Sequence, residues 1–155
     1  MQADKVQTKS VQILTAVFRP QTGPAGIAAV VANAPATAIG SIHEQAFGSA
    51  ERLHFRAVLR ALQLGRNLHA RDISVLCPDE EVVKLINREA ALEPGSSLTP
   101  LYVKVRALIY TYRLAEVRAV PRKRVVPAYR LAVAASRMSG WKKNPQKSLF
   151  TLAGV

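Results

Sequence analysis

Paired cysteines, long apolar runs and a signal-like N-terminus are all missing from this sequence. The single cysteine, Cys77, excludes an internal disulfide, and neither it nor the three histidines has the spacing of a zinc site. No stretch approaches the roughly 20 apolar residues that a transmembrane helix requires. The first ten residues, MQADKVQTKS, are polar and lack the apolar core of a secretory signal. These absences predict a cytoplasmic protein that has no membrane partner.

Acidic residues are also scarce, and their scarcity is uneven along the chain. Ten Asp and Glu face 22 Lys and Arg, which gives a formal net charge of +12. Residues 1–100 carry ten basic and nine acidic side chains, whereas residues 101–155 carry twelve basic side chains and one acid, Glu116. Basic side chains placed against phosphates release condensed counterions, so this excess favours a nucleic-acid partner. A basic surface without a dedicated partner is the alternative.

The hydrophobic pattern predicts an α/β fold. Alternating or continuous apolar runs bounded by Pro and Gly indicate five strands, at 11–18, 27–33, 38–47, 73–77 and 116–120. Helical periodicity indicates four helices, at 50–66, 80–88, 100–113 and 127–138. Short turns make strands 1 to 3 antiparallel, and helical crossovers make strands 4 and 5 parallel. We therefore expect a flexible N-terminus at 1–10, one domain at 11–137, and a basic and apolar tail at 138–155.

The first predicted helix carries the most informative motif. In AERLHFRAVLRALQLGR, residues 50–66, apolar side chains recur at i, i+3, i+4 and i+7 on one face. The segment HFRAVLRAL, which begins at His54, resembles the first helix of type 1 ribonuclease H domains, also called reverse-transcriptase-like domains. The segments VQILTAV, GPAGIAAV and VPRKRVVPAYRLAVAA resemble further family motifs in the same order. The resemblance spans residues 10–137 and implies the ribonuclease H-like fold, a mixed five-stranded sheet flanked by helices.

The same resemblance implies a site whose chemistry has been removed. Family enzymes cleave the RNA strand of an RNA–DNA hybrid with two divalent metals, which four carboxylates hold. The matching positions here are Ala16, His54, Pro78 and Tyr129, and none of these residues is acidic. A register slip of one residue would place Asp79 at the third position, yet one carboxylate and one histidine do not hold a pair of magnesium ions. We expect no catalytic residues, no bound metal and no cofactor.

The function that the sequence favours is therefore binding of RNA or an RNA–DNA hybrid without cleavage. Phosphate contacts are predicted from the first helix, the last basic loop and the tail. The candidate binding residues are Arg52, Arg56, Arg60, Arg122, Lys123, Arg124, Arg130, Trp141, Lys142 and Lys143. Trp141 either stacks on bases or packs back on the domain.

Other functions remain open from the sequence. The inactive fold could serve as a scaffold or protein-interaction subunit, with the apolar tail end SLFTLAGV adding a strand to a partner or to a second copy. A residual metal-dependent ribonuclease is less favoured. A new nucleophilic site built from His54, Cys77 and Tyr129 is also disfavoured, because strand alternation points Cys77 away from the site and into the core.

Overall fold

A computed structural model describes residues 10–32 and 40–138 of the chain. These two ranges contain five strands: β1 (Ser10–Phe18), β2 (Ala25–Val31), β3 (Ser41–Ala46), β4 (Asp72–Cys77) and β5 (Leu114–Ala119). The same described residues form four α-helices: α1 (Ala50–Asn67), α2 (Glu80–Ile86), α3 (Thr99–Ile109) and α4 (Val126–Ser136). No helix in these two ranges is long and apolar enough to cross a membrane.

The strands form one mixed sheet in the order β3-β2-β1-β4-β5. Strand β1 pairs antiparallel with β2 and parallel with β4. Strand β2 pairs antiparallel with β3, and β4 pairs parallel with β5. The predicted mixed five-stranded sheet, with strands 1 to 3 antiparallel and strands 4 and 5 parallel, is confirmed. Only β3 and β5 lie at the edges.

Strand β1 is covered on both faces because its side chains alternate between two apolar clusters. Val11 and Ile13 pack with Phe55 and Leu62 of α1, in the larger cluster. Leu14 and Ala16 pack on the opposite face, against buried alanines of α4. The sheet is therefore a central layer between α1 and α4. Ala16 thus belongs to the α4 side, while His54 sits on the α1 side.

Two helix starts near the site follow from local capping. The Ser49 hydroxyl accepts a hydrogen bond from the Arg52 backbone N–H, and α1 starts at the next residue. The Asp79 carboxylate accepts one from the Val82 N–H, and α2 follows. Asp79 is therefore the N-cap of α2. Glu80 and Glu81 add negative charge at the positive end of the α2 dipole.

The predicted element boundaries differ from the structure mainly between α3 and β5. Helix α3 ends at Ile109, four residues before the predicted end. The chain turns there because the Tyr112 hydroxyl is buried and donates to the Leu62 carbonyl of α1. Arg113 N–H then donates to the Arg71 carbonyl, so β5 begins at Leu114 beside β4. The predicted basic loop is a 3-10 turn over Arg122–Val125.

The proposed boundaries of the terminal segments lie largely outside the described residues. This applies to residues 1–9 of the N-terminal segment and to residues 139–155 of the tail. It also applies to residues 38 and 39 of the predicted third strand, which begins at Ser41 in the structure.

Gly26 allows α4 to approach the sheet closely. A Cβ atom built on this residue of β2 would lie 1.8 Å from the carbonyl oxygen of Ala132 in α4. That oxygen belongs to the helix backbone and cannot rotate away as a flexible side chain would. The contact between α4 and the sheet therefore requires glycine at this position.

We expect Gly26→Ala to lower the free energy of unfolding by about 3 kcal/mol or more, because overpacking of this kind moves backbone. Thr22→Ala, an exposed change in the preceding turn, should alter it by less than about 0.5 kcal/mol. Urea unfolding of both variants measures the difference. Equal stabilities would contradict the close approach of α4.

Candidate functional site

The four positions that the sequence resemblance assigns to the family's metal ligands fall into two groups in the structure. Ala16 of β1 is buried, and Tyr129 of α4 packs against the same apolar cluster. His54 of α1 lies on the other face, where it contacts Cys77 and Asp79 at the end of β4. Pro78, between those two residues, is partly buried. These positions therefore form an apolar patch on the α4 face of the sheet and a small polar cluster on the α1 face.

The polar cluster, His54 with Cys77 and Asp79, is built by α1 packing over the carboxyl end of β4. Nδ1 of His54 lies 4.0 Å from Sγ of Cys77, and Nε2 lies 3.9 Å from Oδ2 of Asp79. Sγ of Cys77 also lies 3.9 Å from the Asp79 carbonyl oxygen. These long contacts place three titratable groups side by side at one strand end.

Burial keeps the thiol of the polar cluster inert. Cys77 is fully buried, and desolvation raises the pKa of its thiol to about 12. Only a thiolate is an effective nucleophile, so Cys77 is protonated and unreactive near neutral pH. His54 is held neutral by the same cause, because burial lowers its pKa while the nearby charge of Asp79 raises it in part. Cys77, His54 and Asp79 follow one another like the nucleophile, base and acid of a catalytic triad. The thiol of Cys77 is not activated, however, so the cluster lacks a nucleophile.

The prediction that Cys77 packs in the core is confirmed, but its separation from the site is wrong. Strand alternation alone sends the side chain of Cys77 to the α1 face, as observed. The sequence could not show that α1 places His54 beside Cys77 on this face of the sheet. His54 therefore meets Cys77 and Asp79, whereas Tyr129 contacts Phe18 and Arg122.

The donor set does not fit a pair of magnesium ions. Mg²⁺ prefers an octahedron of oxygen ligands, with carboxylates supplying the negative charge. The cluster offers one carboxylate, one imidazole and one protonated thiol, and Oδ1 of Asp79 already caps α2. Across residues 10–32 and 40–138, no group of three or more His, Cys, Asp or Glu side chains could hold a metal ion.

Tyr129 forms an aromatic and cationic surface on the opposite face. Its ring meets Phe18 edge to face, with ring centroids 5.9 Å apart. The Arg122 guanidinium carbon lies 4.9 Å from the centroid of the Tyr129 ring, in cation–π range. Phe18, at the end of β1, was not among the predicted site residues. An aromatic residue followed by Arg19 at a strand end was the available signal.

The predicted basic residues differ in whether acidic side chains neutralise their charges. Arg122, Lys123 and Arg124 are exposed on the 3-10 turn, and Arg130 is exposed on α4. We call these four residues the basic turn surface. Within the described ranges none of them is ion-paired with a carboxylate. The predicted tail residues Trp141, Lys142 and Lys143 lie outside the described residues.

The arginines of α1 are largely engaged by other protein groups. Arg56 and Arg60 both form ion pairs with Glu44 of β3, at 3.1 and 2.8 Å. Arg60 also donates to Gln63, and Arg52 donates to the Ser97 carbonyl. Sequence reasoning identified the stripe of arginines but missed Glu44, whose facing position depends on the β3 register. Their positive charge is therefore partly neutralised.

We expect the His54 ring to titrate below its ordinary value of 6.5, because burial penalises the imidazolium. Asp79→Asn should lower that pKa further, since the Asp79 charge raises it. Because the pKa of His54 is lower in the folded protein than in the unfolded chain, the unfolded chain binds more protons just below about pH 6.5. The free energy of unfolding should therefore fall as the pH decreases from about 6.5 through the lowered pKa of His54.

Two-dimensional NMR titration of the histidine rings, with assignment by His54→Gln, measures the shift. His54→Gln should also flatten the pH dependence of the free energy of unfolding. A midpoint above 6.5 would contradict the buried geometry.

Comparisons with known proteins agree with this architecture. The family model described as reverse transcriptase-like matches residues 14–135. The N-terminal RNase H domain of Rv2228c from Mycobacterium tuberculosis is 26% identical, with a TM-score of 0.73 over 82% of this chain and 98% of that one. RNase H1 from Halobacterium salinarum is 18% identical, with a TM-score of 0.72 over 81% and 96%. LC11-RNase H1, solved with an RNA/DNA hybrid, is 16% identical, with a TM-score of 0.70 over 81% and 96%.

A comparison with curated protein sequences gives no match. The family model nevertheless spans most of the described domain, from β1 to the end of α4. The strand order and the two helical layers are those expected of the ribonuclease H-like fold. The chain therefore belongs to the reverse transcriptase-like family of RNase H-like domains.

Proposed function

We propose that this protein binds RNA or an RNA–DNA hybrid without cleaving it. The observation that carries the proposal is the donor set of the polar cluster, in which Asp79 is the single carboxylate. The sequence resemblance assigns Ala16, His54, Pro78 and Tyr129 to the positions of the family's metal ligands, and none of these four residues is acidic. Two catalytic metals have no adequate ligands in such a site.

The lack of a carboxylate cluster also changes the electrostatics of the surface around the polar cluster. A cluster of acids repels phosphates unless metals offset its charge. Here Cys77 and His54 are neutral near pH 7, and the charge of Asp79 is compensated in part by the α2 N-terminus. A nucleic-acid backbone can therefore approach this surface without metal ions.

The basic turn surface supplies the phosphate contacts of the proposal. Arg122, Lys123, Arg124 and Arg130 are exposed, and their guanidinium and ammonium groups suit phosphate oxygens. Tyr129 and Arg122 add an aromatic and cationic face of the kind that supports stacking. The structural relative LC11-RNase H1 was solved in complex with an RNA/DNA hybrid, which supports the ligand class.

The direct test combines binding and cleavage on the same samples. Labelled RNA–DNA hybrid, duplex RNA and duplex DNA are titrated at two salt concentrations, with and without Mg²⁺, and then separated on a denaturing gel. We expect salt-sensitive binding and intact substrate. Magnesium-dependent cleavage would contradict the inactive site, and absence of binding to every ligand would favour the protein-interaction function.

Neutralising the basic turn surface should weaken binding through lost phosphate contacts. We expect the triple variant Arg122→Gln, Lys123→Gln and Arg124→Gln to bind with a weaker salt dependence. The magnitude of the negative slope of log K against log salt should decrease by about 2 to 3, since each phosphate contact contributes about 0.7 to 0.9. The matched control combines Arg66→Gln, Arg71→Gln and Lys104→Gln, three exposed positions elsewhere on the domain. Equal slopes for the two triple variants would overturn the assignment of the interface.

Glu44 tests whether the α1 arginines belong to the same interface. Glu44→Gln removes the carboxylate that pairs with Arg56 and Arg60, and should increase both affinity and salt slope, the latter by about 1 to 2. Glu116→Gln changes the net charge equally at the β5 edge and serves as the control. An equal effect of the two substitutions would exclude Arg56 and Arg60 from the interface.

A further inference from the structure

A second cationic cluster lies at the other end of α2 from His54. Helix α2 is capped by Asp79 beside His54, and Arg88 follows its last turn. Seven helical residues at about 1.5 Å each span about 10 Å, so the two ends are well separated. At this far end, Arg88 and Arg106 both contact Tyr110; Arg106 lies in the C-terminal half of α3, and Tyr110 is the residue that follows this helix.

The cluster is organised around the Tyr110 hydroxyl. Its oxygen accepts hydrogen bonds from NH2 of Arg88 at 2.8 Å and from NH2 of Arg106 at 3.0 Å. The Arg106 guanidinium carbon also lies 5.1 Å from the centroid of the Tyr110 ring. Tyr110 is 65% exposed, so the hydroxyl faces solvent with its own hydrogen free to donate. Two guanidinium groups are thereby held beside one exposed donor.

The positive charge of this cluster is not compensated by acids. In the described parts of the chain, neither Arg88 nor Arg106 forms an ion pair. NH1 of Arg106 donates to the Ile86 carbonyl, which fixes the guanidinium, while its buried Nε has no described acceptor. The hydrogen bond from Arg106, more than any other contact, lowers the pKa of Tyr110. Negative charge is therefore favoured at this point.

A cavity adjoins the cluster and provides room for a ligand. Its volume is about 410 Å³, within the range of small-molecule sites. It is lined by Arg88, Glu89, Ala90, Ala91, Leu92 and Tyr102. Arg88 thus belongs both to the cavity wall and to the cluster at Tyr110. The Glu89 carboxylate is not ion-paired with any described Lys or Arg.

We propose that Arg88, Arg106 and the Tyr110 hydroxyl form an anion site that binds a phosphate group. Guanidinium groups match the geometry of phosphate oxygens and are weakly hydrated, so they bind phosphate at low desolvation cost. The phenol supplies a third donor and keeps the two guanidinium groups close together. The site is distinct from the basic turn surface and does not depend on nucleic-acid binding there.

The first experiment uses the full chain and inorganic phosphate as the probe. NMR follows the arginine Nε–H signals and the Tyr110 backbone amide during titration, at ionic strength matched with chloride. We expect saturable shifts at Arg88, Arg106 and Tyr110. Arg88→Asn should weaken the apparent affinity about tenfold or more, because a hydrogen bond to a charged group is lost.

The variants are chosen to keep the fold intact. Arg88 has a φ of 63°, a conformation that asparagine tolerates well, and its side chain is exposed. Tyr110→Phe removes only the hydroxyl and should also weaken phosphate binding. Lys104→Gln removes one exposed charge from α3, the helix that carries Arg106, and should leave the phosphate affinity unchanged. Absence of saturable shifts, or equal affinities for Arg88→Asn and Lys104→Gln, would overturn the proposal.

A second arm identifies the source of the phosphate group. Duplex RNA and adenosine monophosphate are titrated against the protein and Arg88→Asn. If the magnitude of the slope of log K against log salt for duplex RNA decreases by about 1 in Arg88→Asn, the site binds the phosphodiester backbone. An unchanged slope, with weakened binding of the nucleotide, assigns it to a free phosphate monoester.

Discussion

Strand β1 is hydrogen-bonded along both edges and covered on both faces, and the positions of the other elements depend on this burial. Its odd-numbered side chains lie against α1 and its even-numbered ones against α4. The buried Thr15 hydroxyl donates to the Leu76 carbonyl of β4, which ties the two parallel strands where the polar cluster forms. On the other face, Gly26 lets the α4 backbone approach β2. His54 and Tyr129 are thereby fixed on opposite sides of one sheet.

The same burial determines the chemistry of the polar cluster. A carboxylate cluster needs solvent or metal ions to remain charged, whereas a thiol and an imidazole tolerate burial in their neutral forms. Cys77 and His54 are neutral for this reason, and Asp79 retains a structural role as the cap of α2. The helices and strands therefore surround a polar cluster in which Asp79 is the one charged side chain. Under the proposed function, positive charge outside the site is then the main determinant of nucleic-acid binding.

The sequence predicted the fold well because the fold depends on local patterns. Periodicity identified α1, and short turns against helical crossovers distinguished antiparallel from parallel pairing. The boundaries of α3 and β5 were less predictable, because Tyr112 ends α3 through a contact with Leu62, fifty residues away. Contacts between side chains on different elements could not be derived from spacing. The pairing of Glu44 with Arg56 and Arg60, the meeting of His54 with Cys77, and the Arg88–Tyr110–Arg106 cluster all depend on how elements pack.

The central claim is that the site does not hold the divalent metals of an active ribonuclease H, and metal binding tests it most directly. Mn²⁺ titrated into the labelled protein broadens NMR signals near any site that it occupies. We predict no selective broadening at Thr15, His54 or residues 77–79 with millimolar Mn²⁺, and no relief of broadening by added Mg²⁺. Saturable broadening confined to these residues and reversed by Mg²⁺ would contradict the claim.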